Sequence, residues 1–153
     1  MDRKKLIREQ LDASLSRYVP LRDTQTPQKG WIRAIRSALG MSARQLAARM
    51  GITQQSVARI EKEETAGAVT VKTLRRVAEG LDCVFVYGFV PNTSLKETIR
   101  RQARRVALAR TSRVAHTMDL ERQGLSDDEK EKVLMDMIDE IIRTMPPSLW
   151  EKP

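Results

Sequence analysis

The spacing of apolar residues predicts a chain built mainly from α-helices. Within residues 1–19 they recur at the interval of one helix face, so we expect an N-terminal helix that ends at Pro20. These apolar residues are Ile7, Leu11, Leu15 and Tyr18. Residues 20–30 carry two prolines and a glycine among polar side chains, which predicts a linker before a compact domain that begins at Trp31.

Residues 31–82 divide into short amphipathic segments with helix-start and helix-end signals between them. Gly40 and Gly51 each follow an apolar stripe, at the position where a left-handed helix end favours glycine. Three hydroxyl residues precede new stripes, where their side chains can accept a hydrogen bond from a backbone amide. They are Ser42, Thr53 and Thr70. This pattern predicts four or five helices of about two to three turns each.

Residues 83–91, CVFVYGFVP, depart from the helical pattern. They concentrate β-branched and aromatic residues at a period of two and end at Pro91, which predicts one short β-strand. A lone strand has unpaired backbone edges, and no second strand is evident in the sequence. Two interpretations follow: the strand pairs with the same strand of a second copy across a two-fold axis, or it is an extended tail packed over the core.

Two longer helices are predicted after the strand. Ser94 and Glu97 form a capping box that opens a basic helix over 94–123, and Gly124 follows as its end signal. A second capping box opens an acidic helix and tail over 126–153, whose apolar residues lie at helical spacing until two prolines stop them. That stripe is typical of a core or a dimer face, and a docking face for a second protein is the alternative.

Charge is distributed unevenly along the chain. The formal net charge is +8, but residues 1–118 hold 23 Lys and Arg against 10 Asp and Glu, whereas residues 119–153 hold 5 against 10. A basic body of this kind suits a polyanion such as DNA, because each phosphate that is neutralised releases condensed counterions. Solubility alone is the alternative interpretation.

Few residues support an enzymatic or a secreted protein. Cys83 is the only cysteine, so no disulfide can form within the chain, and His116 is the only histidine. The sequence shows no phosphate-binding glycine loop, no metal-ligand spacing, no signal peptide and no stretch as apolar as a membrane span. We therefore expect a cytoplasmic protein that is not an enzyme and that needs no cofactor or metal.

One local constellation predicts a helix-turn-helix. In this motif a tight turn holds the second helix across the first, with a small residue in the first helix and apolar anchors in the second. Ala47, Gly51, Val57 and Ile60 occupy those places, at the spacing that the packing requires.

Residues 36–61, which include LGMSARQLAARMGITQQSVARIE, resemble the Xre/Cro-like repressor family of the lambdoid phage repressors. The resemblance covers about residues 31–82 and implies a lambda-repressor-like fold, in which a recognition helix starting near Thr53 enters the major groove. A glutamine there can accept and donate in register with adenine N6 and N7, and an arginine one turn further on is available for guanine or phosphate. The predicted base-reading residues are Gln54, Gln55 and Arg59.

Other predicted contacts go to the sugar–phosphate backbone and set register rather than sequence. By position they come from the starts of three helices: Ser42, Arg44, Gln45, Thr53 and Lys72. Many members of the family carry a glutamine where this chain has Ala43, and that glutamine braces the recognition helix and a phosphate. Either Arg44 or Gln45 supplies the brace here, or it is absent.

Nearly the whole chain is similar to a bacterial family called mobile mystery protein A. The resemblance rests on PQKGWIRAIRSALGMSARQLAARMGI, TLRRVAEGLDCVFVYGFVP and HTMDLERQ. Members of that family occur beside a Fic-domain protein, mobile mystery protein B, which implies a toxin–antitoxin-like module. Fic enzymes that transfer AMP are commonly silenced by a helix bearing Ser/Thr-x-x-x-Glu-Gly/Asn. Thr117 and Glu121 match that pattern in part, because Arg122 stands where Gly or Asn is expected.

The sequence thus predicts a mostly α protein: a lambda-repressor-like helix-turn-helix domain, one short β-strand and two C-terminal helices. It would bind a near-palindromic operator in double-stranded DNA as a homodimer and repress its own operon, as the antitoxin-like partner of a Fic-domain toxin. The alternative is a protein–protein inhibitor of Fic adenylylation that acts through Thr117 and Glu121, with DNA binding secondary.

Overall fold

Amphipathic segments fold into helices throughout the described part of the chain. The computed structural model describes residues 3–117 and 126–151, and within them it contains seven α-helices and no β-strand. The helices are α1 (Arg3–Ser16), α2 (Trp31–Ala38), α3 (Ala43–Met50), α4 (Gln54–Thr65), α5 (Val71–Gly80), α6 (Leu95–Thr117) and α7 (Asp127–Thr144). Short 3-10 turns lie at Val19–Leu21 and Pro147–Trp150. The prediction of a mostly helical protein is confirmed, and none of the described helices is long and apolar enough to cross a membrane.

Two compact units make up the fold. Pro20–Phe89 form the central unit, and Met1–Val19 together with Val90–Pro153 form the terminal unit. The central unit contains α2 to α5, whereas the terminal unit contains α1, α6 and α7. Each unit has its own cluster of buried apolar side chains.

All four helices of the central unit contribute to its core. The buried residues are Ile32, Leu46, Ala47, Val57, Ile60, Val77 and Leu81. Three of the helices begin at a hydroxyl cap, because Ser42, Thr53 and Thr70 each accept a hydrogen bond from the amide three residues on. The predicted caps are therefore confirmed, and each satisfies a backbone donor that the first helical turn leaves unpaired.

The core of the terminal unit lies between α6 and α7. Ala103 and Ala107 of α6 are completely buried and cluster with Leu134, Ile138 and Ile141 of α7. Because alanine has a short side chain, the two helices can pack closely at this seam. Much of the apolar stripe predicted in the acidic segment is therefore core.

Two side chains cap the start of α6. Leu95 N–H donates to Asp12 Oδ1 at 2.7 Å, and Lys96 N–H donates to Asp12 Oδ2 at 3.2 Å. Ser94 Oγ accepts from Glu97 N–H at 3.0 Å, as the predicted cap requires. Asp12 belongs to α1, so this capping also ties α1 to α6. The last residues of the helix predicted over 94–123 lie outside the described residues.

Residues 83–91 form no strand, so the prediction of one is corrected. A strand needs a neighbouring strand to pair its N–H and C=O groups, and the described residues offer none. Side-chain contacts occur there instead. The rings of Phe85 and Tyr87 stack with their centroids 6.1 Å apart, and the Arg75 guanidinium lies 5.8 Å from the centroid of the Tyr87 ring.

Candidate nucleic-acid interface

A tight turn joins α3 to α4. Gly51 has a φ of 67°, a left-handed conformation that glycine reaches without steric cost. Gly51 N–H donates to Ala48 O, and Ile52 N–H donates to Ala47 O, which satisfies two carbonyls at the end of α3. Thr53 then caps α4. The direction in which α4 leaves α3 is therefore set by backbone hydrogen bonds at Gly51 and Ile52 and by the side-chain cap of Thr53.

Buried side chains hold α4 against α3. Ala47 on α3 is 3% exposed, and Val57 and Ile60 on α4 are 1% and 6% exposed. All three belong to the core of the central unit, as the sequence pattern predicted. Since Ala47 carries only a methyl group, the anchors of α4 can approach the first helix closely.

Two glutamates attach the second half of α4 to α2. Glu61 Oε1 lies 2.7 Å from Arg36 Nε, and these side chains are only 11% and 13% exposed. Glu64 accepts hydrogen bonds from Trp31 N–H at 2.8 Å and Ile32 N–H at 3.1 Å. A carboxylate suits this position because the N-terminus of a helix carries partial positive charge. The inner side of α4 is thus fixed along most of its length.

Sequence reasoning did not single out Arg36, Glu61 or Glu64 for this role. The two glutamates lie one turn apart on α4, but their partners on α2 stand 25 to 33 residues earlier, where no short-range pattern identifies them. Gly30 is the one local signal. Gly30 has a φ of 81°, which favours glycine, and a Cβ added there would displace the Glu64 carboxylate from this cap.

The first turn of α4 presents polar side chains to solvent. Gln54 and Gln55 are exposed, while Val57 turns into the core. The Arg59 side chain is 70% exposed, and its Nε lies 3.7 Å from Glu63 Oε1. An exposed ion pair of this length contributes little free energy, so Arg59 can exchange Glu63 for another acceptor. All three predicted base readers therefore lie on the exposed side of one anchored helix.

The predicted backbone contacts fall into two groups. Ser42, Gln45 and Thr53 already act as caps: Gln45 Oε1 accepts from Ser42 N–H at 2.7 Å, and Ser42 Oγ accepts from Gln45 N–H at 3.2 Å. The side-chain NH₂ of Gln45, which has two donors, takes no part in this cap. Arg44 and Lys72 are exposed near the starts of α3 and α5.

The side chains predicted for Fic inhibition lie outside the described part of the structure. Thr117 is the last described residue of α6, but its side chain lies outside the described part of the structure, as does the whole of Glu121. Their role stays a prediction from the sequence.

Comparison with known proteins identifies the motif. Residues 32–85 match a protein-family model described as Helix-turn-helix, whereas no curated protein and no solved structure matches the chain. The matched range contains α2 from its second residue, α3 to α5 and the turn between α3 and α4. The match confirms the prediction of an Xre-like helix-turn-helix domain and indicates a DNA-binding transcription regulator.

Proposed function

We propose that the protein is a sequence-specific DNA-binding repressor that reads its operator with the first turn of α4. One observation carries this proposal: Gln54 and Gln55 are exposed at the start of a helix whose inner side is fixed by Val57 and Ile60. Reading base edges requires polar side chains on a rigid element that fits the major groove, and the N-terminal end of a recognition helix supplies both.

The side chains of α4 define the kind of sequence that it would read. A glutamine amide can accept a hydrogen bond from adenine N6 and donate one to adenine N7. An arginine guanidinium can donate two hydrogen bonds to guanine O6 and N7. Gln54 and Gln55 therefore favour adenine, and Arg59 favours guanine once it releases Glu63.

Contacts to the DNA backbone would complete the interface. Arg44 and Lys72 are exposed cations that can bind phosphate, and Gln45 can add its amide donors. Arg44 and Gln45 lie in the first turn of α3, directly after the Ser42 cap, whereas Lys72 lies in the first turn of α5 and Thr53 caps α4. Such contacts set the register of α4 along the duplex, while the glutamines select the sequence.

The proposal includes a homodimer on a near-palindromic operator. Its structural support is a row of large apolar side chains that the central unit leaves in solvent: Val84 at 85%, Val86 at 67% and Phe89 at 80% exposure. Pairing of this segment with the same segment of a second copy would cover these side chains and supply the missing strand partner. The two α4 helices would then read half-sites roughly 34 Å apart.

Base reading can be tested with a glutamine variant and a matched control. The wild-type chain selects an operator from a pool of random duplexes, and its affinities for that operator and for single-base variants are measured. We expect Gln55→Ala to lower operator affinity by about 1–3 kcal/mol and to relax discrimination at one position. Gln28→Ala removes an exposed glutamine from the same unit and should change neither quantity. Discrimination in Gln55→Ala equal to that of the wild type would contradict the proposal.

The dimer has its own test. Sedimentation equilibrium should give a dimer for the wild type and a shift toward monomer for a Val84→Ser/Val86→Ser variant, because serine removes the apolar surface that pairing covers. Val71→Ser changes an exposed valine outside the segment and is the control. The same association constant in the double variant and the wild type would rule out this interface.

We further propose that the repressor is the antitoxin-like partner of a Fic-domain protein. The support is the sequence resemblance to mobile mystery protein A and the Thr117-x-x-x-Glu121 pattern. Glu121→Ala should release adenylylation by a co-expressed Fic protein and leave DNA binding intact, whereas Glu131→Ala should leave the Fic protein silent. Continued silence with Glu121→Ala would contradict inhibition through this residue.

A further inference from the structure

Four arginines cover the solvent side of α6. They are Arg100, Arg101, Arg104 and Arg105, all exposed, and we call them the arginine face. Two pairs within this set are four residues apart, which places their Cα atoms about 6 Å apart along the helix axis. The opposite side of α6, which includes Ala103 and Ala107, is buried in the core of the terminal unit.

The charge of the arginine face is not neutralised by ion pairs within the described chain. The ion pairs of Arg36, Arg59, Lys130 and Arg143 involve none of these arginines and do not involve Glu97, which lies one turn before them. Arg101 makes only a long hydrogen bond, from its Nη2 to Thr93 Oγ1 at 3.4 Å. Like charges four residues apart on a helix repel each other. A ligand with several negative charges would relieve that repulsion.

The geometry favours a nucleic-acid backbone over a membrane surface. A helix that lies on a membrane inserts its apolar side, but the apolar side of α6 is already packed against α7. Among its described exposed residues, Leu108 is the only large apolar one, at 43% exposure. What remains for a ligand is a cluster of guanidinium groups, whose fork of donors matches phosphate oxygens.

We infer that the arginine face is a second phosphate-binding surface, which contacts the backbone of the same duplex that the helix-turn-helix domain binds. The inference rests on the proposed DNA-binding function but not on sequence reading by α4. Double-stranded DNA carries one negative charge per about 1.7 Å of its axis, so phosphates continue beyond any site that α4 occupies. Since both surfaces belong to one chain, binding of one raises the effective concentration of phosphate at the other.

The salt dependence of binding to a duplex of arbitrary sequence tests this surface. Each phosphate neutralised contributes about −0.9 to the slope of log K against log salt concentration. The full-length variant Arg100→Gln/Arg101→Gln/Arg104→Gln/Arg105→Gln should therefore lose about 2 to 4 from the magnitude of that slope. The corresponding fourfold Arg→Lys variant keeps the charge and should recover most of it. Far-UV circular dichroism and Tm establish that each variant is folded.

A matched pair of double variants separates the arginine face from net charge. Arg101→Gln/Arg105→Gln and Lys130→Gln/Lys132→Gln remove the same charge from the same unit, and only the first should reduce the slope. An unchanged slope in the fourfold Gln variant, an equal reduction by the two double variants, or no recovery in the Lys variant would each overturn the inference.

Further outcomes identify which proposal has failed. If the fourfold Gln variant lost binding to phosphatidylserine vesicles but kept its salt slope on DNA, the surface would be assigned to membranes and the inference overturned. A wild-type chain that bound no duplex would overturn both this inference and the proposed function. A wild-type chain that selected an operator, with a slope equal to that of the Gln variant, would overturn this inference alone.

Discussion

The central unit and the terminal unit are both helical, but their helices are held together in different ways. The four helices of the central unit have 8 to 12 residues, and in addition to their apolar core they are held by a left-handed glycine turn and the Arg36–Glu61 ion pair. The helices of the terminal unit have 14 to 23 residues. They depend on one apolar seam and on contacts between residues far apart in sequence, such as Asp12 with Leu95.

This difference suits two kinds of contact with DNA. Base reading needs side chains held to within about 0.5 Å, and the anchored α4 meets that need because it is fixed at its turn, at its core side and at α2. Phosphate attraction tolerates looser geometry and depends on charge. The long α6 displays four arginines over two turns without using them in its core.

The largest expected effect comes from a substitution that creates a cavity in the core of the central unit. Leu46 is completely buried on α3, so Leu46→Ala should lower the free energy of unfolding by about 2–5 kcal/mol and abolish operator binding. The chain has two tryptophans, Trp31 in the central unit and Trp150 in the terminal unit. Urea unfolding of Leu46→Ala in a Trp150→Phe background, followed by Trp31 fluorescence, measures the loss.

The matching change in the terminal unit is Ile138→Ala, at a residue that is 2% exposed. Ile138→Ala should lower the free energy of unfolding by a similar amount. Urea unfolding in a Trp31→Phe background, followed by Trp150 fluorescence, measures that loss. A loss below about 1 kcal/mol for Leu46→Ala would show that α3 and α4 do not depend on this core.

The next largest effect tests the attachment of α4 to α2. Glu61→Ala leaves the Arg36 guanidinium with its bond to Met41 O at 2.9 Å but removes both of its bonds to Glu61. Since the guanidinium is nearly buried, we expect a loss of about 1.5–3 kcal/mol in the free energy of unfolding and weaker operator binding. Urea unfolding and fluorescence anisotropy measure the two effects.

Glu63→Ala is the control for that substitution. Glu63 stands on the same helix, but its pair with Arg59 is exposed, so its removal should cost less than about 1 kcal/mol. Replacement of both partners of the buried pair, as Arg36→Met/Glu61→Leu, should recover part of the stability. Equal losses for Glu61→Ala and Glu63→Ala would contradict a special role for the buried pair.

The sequence distance between contacting groups explains which parts of the structure could be predicted from sequence. The caps Ser42 and Thr53 and the glycine turn at Gly51 lie within three residues of the backbone groups that they satisfy, so a short motif reveals them. The exposed position of Gln54 and Gln55 follows from the same local spacing. These are the features on which the helix-turn-helix prediction depended.

Contacts that join distant segments leave no such local trace. Asp12 caps Leu95 across 83 positions, and Gln102 bonds Leu149 across 47. The strand prediction at residues 83–91 was wrong for the same reason. The side-chain pattern shows that a segment suits a strand, but it does not show whether a partner strand exists. The sequence therefore predicted the helix-turn-helix well and the contacts between distant segments poorly.

A third, smaller effect concerns the buried amide of the terminal unit. Gln102 is 9% exposed, and its Nε2 donates to Leu149 O at 2.7 Å. Gln102→Leu would leave that carbonyl without its donor, so we expect a loss of about 1–3 kcal/mol in the unfolding reported by Trp150. Gln10→Leu, at an exposed position of α1, is the control. A Gln102→Leu variant as stable as the wild type would show that water replaces the bond.

The smallest expected effect compares the two capping boxes, which differ in one chemical respect. In the central unit the box pairs Ser42 with the neutral Gln45, whereas in the terminal unit it pairs Ser126 with the ionisable Glu129. Ser126 N–H donates to Glu129 Oε2 at 2.8 Å, and the Ser126 hydroxyl does so at 3.0 Å. These bonds favour the charged carboxylate and hold the pKa of Glu129 below its ordinary value of 4.5.

A pKa lowered by folding fixes the sign of the pH dependence. The Glu129 contribution to stability is fully present above the unfolded pKa near 4.5 and is lost as the pH falls through the lower, folded pKa. With Trp150 fluorescence as the probe, Glu129→Gln should therefore reduce the loss of unfolding free energy at acid pH. Glu131→Gln, on the same helix, should not change that loss. The reverse change is Gln45→Glu. With Trp31 fluorescence as the probe, this variant should lose unfolding free energy at acid pH, a loss to which the neutral Gln45 of the wild type does not contribute. If the unfolding free energy of Gln45→Glu depended on pH as that of the wild type does, a glutamate in the capping box would not be sufficient to make stability depend on pH.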